Sequence, residues 1–167
     1  NVFDDQTEAF NARFLRSRLA EEFHRAERSH DPLAYLLVDV DGLGAINDQH
    51  GRAAGDRVLR AVARTLRETV RDVDVVGRIG GDEFAVLLPA THFAGAVAAA
   101  ERIVRSVTLA ADAGTPRTPT VSIGVALYPS RDVRGKEALM RAAEDALRHA
   151  KREGGGRARS EEHTSEL

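Results

Sequence analysis

Hydrophobic residues recur along this chain with two different periods. From about residue 7 to residue 28 they fall at Phe10, Phe14, Leu15, Leu19, Phe23 and Ala26, the spacing of one helix face. Thr7 is the expected N-cap of that helix. Leu33 to Val38 is instead a continuous apolar run, which reads as a buried central strand. A short helix is predicted over residues 43–49. A longer one follows over residues 53–70, with Val58, Leu59, Val62 and Leu66 inward. Apolar runs at residues 73–78 and 83–88 flank a Gly-rich turn and read as a β-hairpin. An Ala-rich helix is predicted over residues 91–109 and a final helix over residues 135–153. Between them, residues 120–127 form a strand whose Gly124 suggests a close backbone approach. Strands alternate with helices, yet one pair is a hairpin. The pattern therefore predicts an α/β domain with a mixed central sheet flanked by helices.

Charged residues interrupt this pattern at strand ends. Gly80-Gly81-Asp82-Glu83-Phe84 places two carboxylates where the hairpin turn meets its second strand. Because side chains alternate, Asp82 and Glu83 cannot both enter the core. The upstream strand ends in Asp39-Val40-Asp41-Gly42, and alternation puts Asp39 and Asp41 on one side. Carboxylates so grouped suit a divalent cation of the magnesium type, held by one or two acids together with substrate phosphates. Asp39 is read as a metal ligand and Asp41 as the cap of the following helix.

Composition narrows the classes. The chain has 167 residues, 43% hydrophobic and 30% charged, enough for one domain with a real core. It has no cysteine, so no disulfide framework or thiolate metal site. Net charge is −2, which gives no support to non-specific nucleic-acid binding. No apolar stretch approaches a membrane span and no secretory signal is visible. The expected location is the cytoplasm, with any membrane anchor of the parent protein lying in missing upstream segments. The first residue is Asn1 and residues 159–167 read RSEEHTSEL, as the in-frame translation of a common sequencing adapter does. The native domain is accordingly placed at residues 1–158, truncated at both ends, with 159–167 a foreign tail.

The pentapeptide at residues 80–84 resembles the signature of the GGDEF family, the diguanylate cyclases. The likeness extends to Asp39-Val40-Asp41, Ile46-Asn47-Asp48 and Gly55-Asp56, and to a degenerate N-terminal entry in which Asp4, Thr7 and Asn11 match while Gln6, Glu8 and Ala9 depart. The resemblance covers roughly residues 4–156. It implies a palm-like sheet related to nucleotidyl cyclases and polymerases. It also implies condensation of two GTP molecules to cyclic di-GMP with loss of two pyrophosphates. Each domain would hold one GTP, so the site would close between the subunits of a homodimer. By this likeness Asp39, Asp82, Glu83 and the carbonyl of Val40 cage two Mg²⁺ or Mn²⁺ ions. Asp82 or Glu83 takes the 3′-hydroxyl proton. Crowding of the three acids is expected to raise their pKa values without metal. Asn47 and Asp56 read guanine, as an amide and a carboxylate are able to do. Gly42, Leu43 and Gly44 cradle phosphate at a helix start, and Lys151 contacts it. Arg71 and Asp74 form an inhibitory site for the product.

Two cationic positions of the family are glycine here, Gly44 and Gly155. Each lost contact weakens phosphate binding by about 1–3 kcal/mol, and Arg157 is a candidate substitute. The alternative reading is therefore a weak or inactive GGDEF domain that binds GTP or cyclic di-GMP as a regulatory module. A third, an unrelated palm-fold nucleotidyl transferase, fits the guanine-reading pair poorly. Partners expected are GTP, cyclic di-GMP, a second copy of the chain and an upstream sensory or receiver domain. Nucleic acid and membrane are not expected.

Overall fold

One strand organises the fold: β1 (Leu33–Val40), buried along its whole length. The structure, a computed structural model, describes residues 1–110 and 119–161. Around β1 lie α1 (Ala12–Ser29), α2 (Leu43–His50), α3 (Arg52–Thr69), β2 (Val75–Arg78), β3 (Glu83–Pro89), α4 (Phe93–Leu109), β4 (Val121–Tyr128), α5 (Lys136–Arg152) and β5 (Ala158–Ser160). The sheet order is β2-β3-β1-β4-β5. Covered on both faces, β1 has no polar alternation, which is why it reads as a continuous apolar run. Ala34, Leu36 and Val38 pack towards Val58 and Val62 of α3 and Ile103 of α4. Leu33, Tyr35 and Leu37 face Leu15 and Leu19 of α1 and Leu139 and Leu147 of α5.

The hairpin forms as expected, with Val75↔Leu87 through Arg78↔Phe84 in antiparallel register. β1 is antiparallel to both β3 and β4. Among the described residues the parallel pairing that makes the sheet mixed is β4 with β5, from Ile123↔Ala158 to Val125↔Ser160. Arg159 and Ser160, which the sequence reading set outside the native domain, thus lie in an edge strand, and Ser160 is buried. Residues 162–167 of the expected tail lie outside the described residues. Gly124 does mark a close approach: a Cβ there would stand 2.0 Å from the Ala143 carbonyl oxygen, so α5 rests directly on β4.

Two helix starts differ from expectation. Thr7 does not cap α1; Asn11 does, its side chain accepting from the Phe14 N–H at 2.8 Å. Thr7 instead donates its hydroxyl to Asp4 Oδ2 at 2.8 Å inside a tight turn. Asp41 does not cap α2, whose N-cap is Gly42 at φ 69° with no side-chain bond. The left-handed turn needs a glycine, and it carries the Asp41 carboxylate away from the helix. Among the described residues no helix is long and apolar enough to cross a membrane.

Candidate active site

The β1 register brings the acids together. Asp39 pairs with Glu83 on β3 and with Ser122 on β4, so these side chains share a row on the α5 face of the sheet. The Val40 N–H donates to the Asp82 carbonyl at 3.0 Å, which ties the hairpin turn to the end of β1. Asp39 is 7% exposed. Its Oδ2 meets the ammonium of Lys151 from the last turn of α5, and that ammonium also stands 3.9 Å from Asp41 Oδ1. The other oxygen, Asp39 Oδ1, is buried with no hydrogen-bond partner.

Electrostatics follow from this crowding. Burial pushes Asp39 up to about 6; the Lys151 ammonium pulls against the shift and the Asp82 carboxylate adds to it. Glu83 also sits above its ordinary range, through burial first and then the charges of Asp82 and Glu144. Burial, the largest influence, would lower Lys151, but its bond to Asp39 and the charges of Asp39, Asp41 and Asp82 together hold the ammonium above its usual value. An orphaned carboxylate oxygen beside mutually repelling acids is a place where a hard cation fits. As they stand, no three Asp, Glu or His side chains among the described residues are gathered closely enough to hold an ion. Lys151 supplies the positive charge instead.

Beside the hairpin turn opens a cleft of about 480 Å³, lined by Leu43, Gly44, Asn47 and Asp56 on one side and by Gly81 and Asp82 on the other. Asn47 is fitted to α3 by a missing side chain: a Cβ on Gly55 would lie 1.8 Å from Asn47 Oδ1. That oxygen is buried and unpartnered. The first-turn N–H groups of α2, from Leu43 onward, lack helical acceptors by geometry and open on the same space. Arg52, Arg78 and Gln6 complete the rim. These three were not singled out as site residues from sequence. In the sequence Gln6 is only a departure from the family's N-terminal pattern, and the signal available for Arg78 is its place just before the Gly80-Gly81 turn.

Other expected residues are placed differently. Asp41 accepts from Thr120 Oγ1 at 2.8 Å, Ser122 Oγ at 2.7 Å and the Gly156 N–H at 3.0 Å, so it anchors the turn between α5 and β5. Gly155 in that turn has φ 74°, and a Cβ there would press on Ser122 Oγ and Asp41 Oδ1 at 3.2 and 3.3 Å. Arg157 bends back on its own loop, Nε donating to the Gly155 carbonyl at 3.0 Å. Arg71 is exposed and lies outside the cleft lining, whereas the Asp74 side chain beneath it is only 2% exposed. Arg71 bonds both Asp74 oxygens, the Pro89 carbonyl and Thr91 Oγ1. The pair is thus preformed and self-satisfied.

An acidic strand end and a helix start beside an open cleft define an α/β domain with an acid-lined sheet edge. The chain belongs to the family described as "Diguanylate cyclase, GGDEF domain", which it matches over residues 1–157. It is 37% identical over 156 residues to the diguanylate cyclase TpbB of Pseudomonas aeruginosa, covering 92% of this chain and 36% of that one. It is 36% identical to the diguanylate cyclase DosC of Escherichia coli over 157 residues, covering 92% and 34%. The response regulator PleD of Caulobacter vibrioides is 36% identical over 162 residues, covering 92% and 34%. The chain thus spans about a third of these relatives' length. The solved GGDEF domain of TpbB superposes with a TM-score of 0.87 at 37% identity, covering 94% of this chain and 92% of that one. Relatives bearing the name diguanylate cyclase place the chain in a family of enzymes.

Proposed function

We propose that this domain condenses two GTP molecules into cyclic di-GMP, releasing two pyrophosphates, with each chain of a homodimer holding one GTP. The observation that carries the reading is that Asp82, whose carbonyl is bonded to the end of β1 beside the paired Asp39 and Glu83, lines a cleft that also contains Asn47 and Asp56. A cleft of about 480 Å³ has room for one nucleotide, which supports pairing of two domains. Asp56 accepts from the guanine N1–H and N2 amine while Asn47 meets the base edge. The α2 first-turn N–H groups at Leu43 and Gly44, beside Gly42, take a phosphate oxygen. Asp39, Asp82, Glu83 and the Val40 carbonyl would hold divalent metal, magnesium or manganese, two ions to a site. Metal bound there stabilises charge on the attacking and leaving oxygens. Lys151, released from Asp39, is then available to the phosphates. Asp82 or Glu83 accepts the 3′-hydroxyl proton, and the raised affinity of Glu83 for a proton suits that task.

Product feedback belongs to the same reading, because the exposed Arg71 guanidinium is held in place by the covered Asp74 carboxylate. A relative, DgcB of Caulobacter crescentus, is solved in complex with cyclic di-GMP at 25% identity and a TM-score of 0.87. Arg71→Ala should relieve product inhibition and leave the initial rate unchanged; an undiminished response to added product contradicts the assignment.

A second reading, a binding module without turnover, is favoured by one feature: Lys151 closes on Asp39 while Gly44 and Gly155 leave the phosphate side short of cations. Purified protein with GTP and magnesium separates the two. Cyclic product that disappears in Asp82→Ala supports the enzyme, whereas tight nucleotide binding with no product supports the module.

A further inference from the structure

Arg78 is the hub of a small polar cluster under the hairpin turn. Its Nε donates to the Gly80 carbonyl at 3.1 Å and Nη2 to the Gly81 carbonyl at 2.7 Å. Nη1 donates to Asp4 Oδ2 at 3.2 Å and to Gln6 Oε1 at 2.5 Å. A guanidinium has donors only, so the Gln6 oxygen must face it. The amide nitrogen of Gln6, with two N–H groups, is turned elsewhere and has no hydrogen-bond partner among the described residues. Gln6 lines the cleft that holds Asn47 and Asp56. The amide nitrogen is the polar group it has left to offer there.

We infer that Gln6 is a specificity-determining residue, whose amide nitrogen donates to the acceptor edge of guanine, O6 and N7. This rests on the reading that Asn47 and Asp56 receive the base. Guanine carries donors at N1 and N2 and acceptors at O6 and N7. A carboxylate such as Asp56 serves the donors and leaves the acceptors unmatched. Arg52 is exposed at the start of α3, with a long side chain that costs more to order. The Gln6 amide is already oriented by Arg78, and a pre-set donor loses less on binding.

The test compares GTP binding at about pH 7.5 by the unsubstituted chain, Gln6→Glu and Gln6→Leu. Glutamate keeps the oxygen that Arg78 bonds and removes the donors; leucine removes both. Each variant should bind GTP roughly 3- to 10-fold more weakly, the scale of one net hydrogen bond. Gln6→Glu should melt no lower than the unsubstituted chain, because its bond to Arg78 becomes charge-assisted. Two analogues address the atoms: 7-deaza-GTP lacks N7, and 6-thio-GTP replaces O6 by sulfur, a weaker acceptor, while keeping the N1–H that Asp56 receives. The unsubstituted chain should prefer GTP to at least one of them, and both variants should lose that preference. Unchanged GTP affinity in Gln6→Glu, or a preference retained by both variants, overturns the assignment. Absence of GTP binding by the unsubstituted chain overturns the nucleotide reading itself, and Gln6 with it.

Discussion

Asp39 stands with one oxygen on Lys151 and the other bare. Its ordinary pKa is 3.8 and the folded value is about 6, so the folded chain holds this proton more tightly than the unfolded chain. The contribution to stability is therefore full below the unfolded value and is lost as pH rises through the folded one. In metal-free buffer Asp39→Asn should melt above the unsubstituted protein at about pH 7.5, and the gap should close towards about pH 4. A gap that does not change with pH would show that Asp39 is not strained by its surroundings. Asp41 is the opposite case, a carboxylate with three donors. Asp41→Ala leaves Thr120 and Ser122 without their acceptor and the Gly156 N–H with Ser122 Oγ alone, and should lower unfolding free energy by about 1–3 kcal/mol in urea titration. The two residues also differ in legibility. Asp39 and Glu83 were readable because strand alternation and a nearby hairpin place them. The donors to Asp41 lie 79, 81 and 115 residues along the chain, beyond what local pattern shows, so a helix cap was the natural reading.

At the scale of elements, glycine decides how closely the helices seat around the site. At Gly124 an added Cβ meets α5 backbone at 2.0 and 2.5 Å; backbone cannot step aside, so α5 would lift off β4 and carry Lys151 with it. At Gly55 the added Cβ meets only the end of the Asn47 side chain, which can rotate. Gly55→Ala should therefore melt close to the unsubstituted protein while binding GTP at least several-fold more weakly, as expected when one base contact is lost. Equal losses in stability and binding would show that Gly55 merely supports packing. Most elements were legible because the sequence switches clearly between helical spacing and apolar runs. The start of α1 was not: Phe10 lies before the helix, bridged to Gly77 of β2 and stacked with Phe3, yet it keeps the helical spacing. β5 has only three residues, too short to show a period, and its parallel pairing depends on the preceding turn with Gly154, Gly155 and Gly156 all at positive φ.

Over the whole molecule, negative charge gathers at one end of the sheet beside the cleft, and Lys151 balances it from α5. That ion pair offsets part of the repulsion Asp39 meets from Asp82. Under the proposed reading, turnover requires a cation to take over from the ammonium and a second chain to bring the other nucleotide. The most direct measurement is the rate of cyclic di-GMP formation from GTP and magnesium across a dilution series of the purified chain. The account predicts product whose rate per chain rises with protein concentration, absent without divalent metal and absent in Asp82→Ala. Linear dependence on protein with metal-independent product, or no product at any concentration despite bound GTP, would contradict it.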